Sequence, residues 1–292
     1  MRRFVLALAL LLVVGTIGDV SAADAAGAQD YIVRYRESAV AGGTATVRVS
    51  SHGARFQVRR VDHAKVSRRV KQARSWGIKP RHVFREGIGG FAARLSPAQV
   101  RRLRNDPAVE SIEIDAPVSV ADTVEGGVVS RKEFTKQQLP TGIRRIYADR
   151  QPLAHIGQRT NVNVDIAVVD TGIASHPDLR IGGGYNCSAE DGRDPTKYTD
   201  RYGHGTHVAG TIAAIDNGRG VVGVVPGARV WAIKVLGDTG TGKTSDIVCG
   251  LQWMIGQQLS AGGPRFIAAN MSIAGPQKYP NTACGTGTAD TY

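Results

Sequence analysis

Long apolar runs are scarce in this chain of 292 residues. Only Phe4 to Val14 is apolar throughout, and it falls short of the ~20 residues that a membrane-spanning helix requires. No spanning helix is therefore expected. Aromatic residues make up only 6%, and none are interleaved with the basic residues as a platform for stacking bases. Acidic residues are scarce in one region only. Residues 24–118 carry 18 Lys and Arg against 9 Asp and Glu, whereas residues 119–292 carry 17 against 15. The net charge of +12 thus reads as the solvated basic face of an N-terminal module, with no nucleic-acid partner. The 3 cysteines are Cys187, Cys249 and Cys284. No Cys-x-x-Cys spacing occurs, which excludes a thiolate zinc site. Their odd number leaves one thiol without a partner in the chain, and the pairing stays open. His204 and His207 lack an intervening glutamate and stand at i, i+3, which excludes the zinc helix of metalloproteases. His207 is instead expected to be a buried packing residue.

Several things are present. Met1 to Ala23 reads as a secretory signal, with Arg2 and Arg3 before the apolar run and small residues at Val20-Ser21-Ala22 for cleavage. The expectation is an exported, extracellular monomer with no membrane attachment after signal removal, in which disulfides can form.

Residues 24–118 follow the order β-α-β-β-α-β. Asp30 to Arg36, Lys79 to Arg85, Gly90 to Leu95 and Ala108 to Asp115 alternate as strands. Val61 to Ser75 is a weakly amphipathic helix. Ser96-Pro97 opens another, with an N-cap and a first-turn proline. The plan is a small α+β, ferredoxin-like module. A stretch at 40–60 is added to it, in which Thr46 to Val49 and Phe56 to Arg59 alternate as a hairpin. Residues 119–138 are polar and aperiodic and are expected to be a linker.

From residue 139 the pattern changes. Val162 to Val169, Arg229 to Leu236 and Phe266 to Ile273 are apolar enough for parallel strands buried on both faces. Ser245 to Leu259 is helical, with Ser245 and Asp246 at its start and Ile247, Val248, Leu251, Met254 and Ile255 on one face. Such alternation predicts an α/β, doubly wound and mostly parallel sheet, whose functional residues gather at the C-terminal strand ends. Asp170 stands at one such end, before Thr171-Gly172-Ile173. His204 to Thr211 reads His-Gly-Thr-His-Val-Ala-Gly-Thr. Its small residues let a helix lie close against a sheet and place His204 at the helix start.

Asp170-Thr-Gly-Ile together with His204-Gly-Thr-His-Val-Ala-Gly resembles the subtilisin-like serine proteases. That resemblance implies that Asp170 orients His204 and that His204 serves as general base. It implies that residues 24–118 are an inhibitory prosegment whose tail lies in the active cleft, and that maturation cuts the chain somewhere in 116–140. Gly240-Thr241-Gly242 and Ser272-Ile273-Ala274 resemble the two strands that pair with a polypeptide substrate, with Ile273 and Ala274 in place of the commoner Leu and Gly. Asp178, Asn217 and the carbonyls of Ile215, Arg219 and Val221 resemble a structural calcium site. The family's serine motif, Gly-Thr-Ser-Met-Ala, is nowhere in the chain. The organisation expected is signal peptide 1–23, prosegment 24–118, linker 119–138 and N-terminal part of the catalytic domain 139–292, inactive as it stands for want of the nucleophile. Two rivals are a non-enzymatic protease inhibitor of the prosegment type and an unstable truncated product.

Overall fold

The computed structural model describes residues 27–49, 54–121, 136–189 and 194–275. The expected signal at 1–23, most of the expected linker and Cys284 lie outside the described residues.

The N-terminal unit holds strands β1 (Gln29–Tyr35), β2 (Ala41–Val49), β3 (Ala54–Val61), β4 (Pro80–Phe84), β5 (Gly90–Leu95), β6 (Val109–Ile114) and β7 (Pro117–Val120). Its helices are α1 (Glu37–Val40), α2 (His63–Ser75) and α3 (Pro97–Arg104). An antiparallel sheet runs in the order β4-β5-β1-β6. β2 and β3 form the separate hairpin expected at 40–60. Asp62 caps α2 through the Lys65 amide, and Ser96 and Gln99 close a capping box on α3. Both helices lie on one face of the sheet. There Val66, Val70, Val100 and Leu103 pack on Val33, Phe91, Ala93 and Leu95, removing apolar side chains from water.

The second unit holds helix α4 (Thr141–Arg145), strands β8 (Asp165–Asp170) and β9 (Arg180–Asn186), helix α5 (His204–Ala213) and strands β10 (Arg229–Lys234) and β11 (Thr241–Lys243). Helix α6 (Thr244–Leu259) and strands β12 (Phe266–Asn270) and β13 (Ile273–Ala274) complete it. A parallel sheet runs β12-β8-β10-β9. Alternate residues of its strands face opposite helices. Ile166 and Val168 pack with Ala209 and Ala213 of α5, while Ala167 and Val169 pack with Ile247 and Met254 of α6. The sheet is therefore wound on both sides. A disulfide between Cys187 and Cys249 ties the segment after β9 to α6.

Three expectations are corrected here, and one strand is new. β9 was not foreseen, because Gly182-Gly183-Gly184 shows no apolar pattern. Its glycines are demanded by close packing, since a Cβ at 182 would stand 2.5 Å from the Trp231 ring. Ser119 and Val120 belong to β7 rather than to a linker, for the tail continues as a strand with Val118 and Val120 buried. The run from Phe266 to Ile273 is two strands, since the chain leaves the parallel sheet after Asn270 and re-pairs elsewhere at Ile273. His207 is exposed, because the buried face of α5 carries His204, Gly205, Ala209 and Ala213.

β7 also joins the two units. It lies between β11 and β13 in a three-stranded antiparallel sheet, so the end of the N-terminal unit is held by strands of the second.

Candidate active site

β8 is buried along its whole length and ends at Asp170, which is 0% exposed. The Asp170 carbonyl accepts from the amides of Val235 and Leu236 at 2.9 and 3.2 Å, which anchors the strand end to the segment following β10. α5 approaches this end closely. A Cβ at 205 would meet the Gly172 carbonyl oxygen at 2.2 Å, so only glycine permits the approach. The first helical residue, His204, is thereby brought with its Nδ1 2.7 Å from Asp170 Oδ1. An ionised carboxylate can only accept, so Nδ1 carries the proton and Nε2 presents its lone pair. Burial pushes the Asp170 carboxyl above its ordinary range, against the opposing hydrogen bonds from His204 and Thr171 and the His204 charge. Lys234 is wholly buried below the site, its Nζ donating to the Thr171 carbonyl at 2.7 Å and to Asp238 at 3.1 Å.

All six residues expected to line a cleft touch the tail of the N-terminal unit. Thr241 and Gly242 pair with Ser119 and Val118, and Ile273 and Ala274 pair with Val120 and Ser119. The Val120 amide donates to the Gly240 carbonyl at 3.0 Å, and the Ala121 amide to the Ser272 carbonyl at 3.1 Å. The tail is thus bound as an added strand through its backbone.

The residues expected to bind calcium are linked to one another by hydrogen bonds. Ile215 N donates to the Asp178 carbonyl at 3.0 Å, and Asn217 Nδ2 lies 2.6 Å from Asp178 Oδ1. The Arg219 amide donates to Asn217 Oδ1 at 2.9 Å. Gln137 enters from a distant segment. Its Nε2 lies 3.1 and 3.4 Å from the carbonyls of Ile215 and Val221, and its Oε1 accepts from Gly218. Gln137 carries no local signal in the sequence and was missed. Among the described residues no cluster of three or more His, Cys, Asp or Glu side chains could hold a metal. The oxygens gathered here are the Asp178 carboxylate and the carbonyls of Ile215 and Val221, donors that suit calcium, but Asn217 and Gln137 turn amide nitrogen toward them and amide oxygen toward backbone N–H groups.

The N-terminal unit docks on α6 with the sheet face opposite its own helices. Ile32, Phe84 and Ala92 pack on Val248. The start of α6 differs from expectation, since Lys243 occupies its N-cap and has no side-chain oxygen. Asp115 supplies the missing acceptor from the other unit, taking the Ser245 amide at 2.8 Å and its hydroxyl at 2.7 Å. Arg81 pairs with Asp115, and His82 Nε2 lies 2.8 Å from Asp246 Oδ1. Gln252 Oε1 accepts from the Arg85 and Glu86 amides, and its Nε2 donates to the Ile88 carbonyl. At the edge Lys243 pairs with Asp30.

Burial alone would raise the Asp30 carboxyl. The hydrogen bond from Lys243 and the charges of Lys243, Arg81 and Arg94 outweigh it and hold the carboxyl below its ordinary range. The free energy Asp30 contributes is therefore fully present above that range, about 3.9, and is lost as pH falls through the lowered value. Protection of the Ser245 and Val248 amides from hydrogen exchange should accordingly stay level from neutral pH down to about pH 5. It should fall below about pH 3.9, with the Asp30 share of that fall absent in Asp30→Asn.

The geometry defines an α/β domain with a histidine–carboxylate pair at the end of a central parallel strand, its adjoining groove filled by a docked α+β module. Comparison with known proteins agrees. Residues 161–289 match the subtilase family, and residues 30–121 match the peptidase inhibitor I9 family. The alkaline protease of Alkalihalobacillus alcalophilus is 42% identical over 195 residues, covering 67% of this chain and 44% of that protein. Subtilisin E of Bacillus subtilis (strain 168) is 38% identical over 190 residues, covering 65% and 43%. Subtilisin Savinase of Lederbergia lenta is 46% identical over 140 residues, covering 48% and 47%. The chain spans a little under half the length of these relatives. Residues 161–289 thus form a subtilase-family domain and residues 30–121 an I9-type prosegment domain.

Proposed function

We propose that the chain belongs to the precursor of a secreted serine endopeptidase. The observation that carries this reading is the 2.7 Å bond between His204 Nδ1 and buried Asp170 beside a groove that already holds a peptide strand. His204 Nε2 takes the proton of a serine hydroxyl as that oxygen attacks the peptide carbonyl carbon. Asp170 holds the ring in the required tautomer and favours the imidazolium that forms. The imidazolium then gives its proton to the leaving amine as the C–N bond breaks and an acyl-enzyme remains. Water repeats the cycle. β11 and β13 hold the acyl side of the substrate by backbone pairing, as they hold the prosegment tail, and that tail keeps substrate out until it is cut in the segment following β7. No helix among the described residues is long and apolar enough to cross a membrane, and the reading places the mature protein outside the cell as a monomer.

The serine is assigned to polypeptide beyond the 292 residues, because no Gly-Thr-Ser-Met-Ala occurs in them. A polypeptide that completes the domain with this motif should hydrolyse casein and take up one equivalent of a fluorophosphonate, while the present chain does neither. A completed, folded domain inert to both would overturn the reading, and labelling of a serine in the present chain would overturn the assignment of the nucleophile.

Asp178 and the carbonyls of Ile215, Arg219 and Val221, with the Asn217 amide turned to present its oxygen, would hold a structural calcium ion, which supplies cross-linking of the segments and no chemistry. Calcium at a hundredfold its Kd should add about 2.7 kcal/mol to folding stability. Denaturant titrations with calcium and with chelator check this. Asn217→Ala should lose most of the difference.

A further inference from the structure

We propose that Asp200 is a positioning residue that locks His204 onto Asp170. It lies four residues before the histidine and is 6% exposed. Its carboxylate accepts five hydrogen bonds. Oδ1 takes the Thr171 hydroxyl at 2.9 Å and the amides of Tyr202 and Gly203 at 3.0 and 2.8 Å. Oδ2 takes the amide and the hydroxyl of Thr206 at 2.8 and 2.6 Å.

The two threonines make this more than a helix cap. Thr171 follows Asp170, and its Oγ1 also accepts the Gly205 amide, one residue past His204, at 2.9 Å. Thr206 lies on α5, and its Oγ1 also accepts the Ala174 amide, from the segment following β8, at 2.9 Å. Each hydroxyl therefore receives a proton from the opposite segment and gives its own to Asp200. A hydroxyl has one proton to give, and an ionised carboxylate only accepts, so the direction of every bond in the web is fixed by Asp200. The web crosses between strand end and helix start on both sides of the Asp170–His204 bond. The α5 N-cap is Gly203 and has no side chain to offer, so Asp200 is also the anion at the positive end of this helix. An amide at 200 could keep the bonds to one oxygen but would turn a donor toward Thr206, whose amide and hydroxyl both need an acceptor.

The inference rests on His204 acting as the base, and its test reads the Asp170–His204 bond itself. In the present chain labelled with ¹⁵N-histidine, NMR follows exchange of the His204 Nδ1 proton with water. In Asp200→Asn that exchange should accelerate about ten- to a hundredfold, the factor equivalent to one hydrogen bond to a charged group, while the chain still unfolds cooperatively. Thr171→Val and Thr206→Val should each give part of the acceleration, and they carry the test if the asparagine variant does not fold. Asp165→Asn is the structural control. Asp165, at the other end of β8, binds Arg229, Trp231 and Arg265, so its loss should lower stability and leave the His204 proton unchanged. An unchanged proton in Asp200→Asn, or equal acceleration in Asp165→Asn, would overturn the proposal. Failure of a completed domain to cleave peptides would instead count against the proposed function and would not alter this readout.

Discussion

Alanine in place of His204 should lower the turnover of the completed enzyme by about 10⁶-fold, and alanine in place of Asp170 by about 10⁴-fold, the losses seen when the base or its orienting carboxylate is removed from a subtilisin. The larger figure corresponds to roughly 8 kcal/mol of barrier. The difference follows from the geometry. Without His204 the nucleophile's proton loses its proposed acceptor. Without Asp170 the ring remains, but it loses the 2.7 Å bond that fixes its tautomer and orientation. Both variants should keep KM nearly unchanged, because β11 and β13 bind peptide through backbone groups that neither residue touches. Steady-state kinetics on a peptide substrate check the split. A loss below about tenfold for His204→Ala would mean another base is at work, since general-base catalysis alone contributes about 10²–10⁴.

The second large effect falls on docking. Asp115→Ala should destabilise the chain by about 3–5 kcal/mol, the cost of removing one partner of a buried ion pair. The Asp115 side chain is 0% exposed and its Arg81 partner 14%. Its removal also strips the acceptor from the Ser245 amide, and a lost N-cap by itself costs about 1 kcal/mol. Urea unfolding measures the total, and hydrogen exchange at Ser245 localises it to the α6 start. A change below about 1 kcal/mol would show that solvent can replace Asp115 there. The arrangement gives the docking a physical basis beyond apolar contact, because the α6 N-cap, Lys243, offers no side-chain acceptor and Asp115 of the prosegment supplies one.

The parts of this structure legible in the sequence are those encoded locally. The apolar run ending at Asp170, the small residues after His204 and the 3.6-residue spacing in α6 each sit within one stretch, so periodicity located them. The Ser96-Pro97 start of α3 was legible because a cap and a first-turn proline are adjacent in the chain. What was not legible depends on distant segments. Asp115 caps a helix 130 positions away in sequence, and Gln137 reaches carbonyls near 215 and 221. β9 was hidden because its glycines answer to the Trp231 ring rather than to a strand pattern. His207 is exposed where the sequence suggests a buried packing residue, because α5 buries only the face that carries His204, Gly205, Ala209 and Ala213. Asp200 lies in a polar stretch between motifs, and its importance shows only when the hydroxyls of Thr171 and Thr206 are seen to meet on it.

The tail of the N-terminal unit lies as a strand between β11 and β13. Hydrogen exchange of the Val120 and Ala121 amides tests this most directly, since in the structure they donate to Gly240 and Ser272. The predicted result is protection of roughly a hundredfold or more over an unstructured chain, an opening free energy near 3 kcal/mol. Both amides should lose that protection together when Asp115→Ala loosens the docked prosegment. Exchange at unstructured rates in the intact chain would contradict the occupied groove and the functional reading built on it.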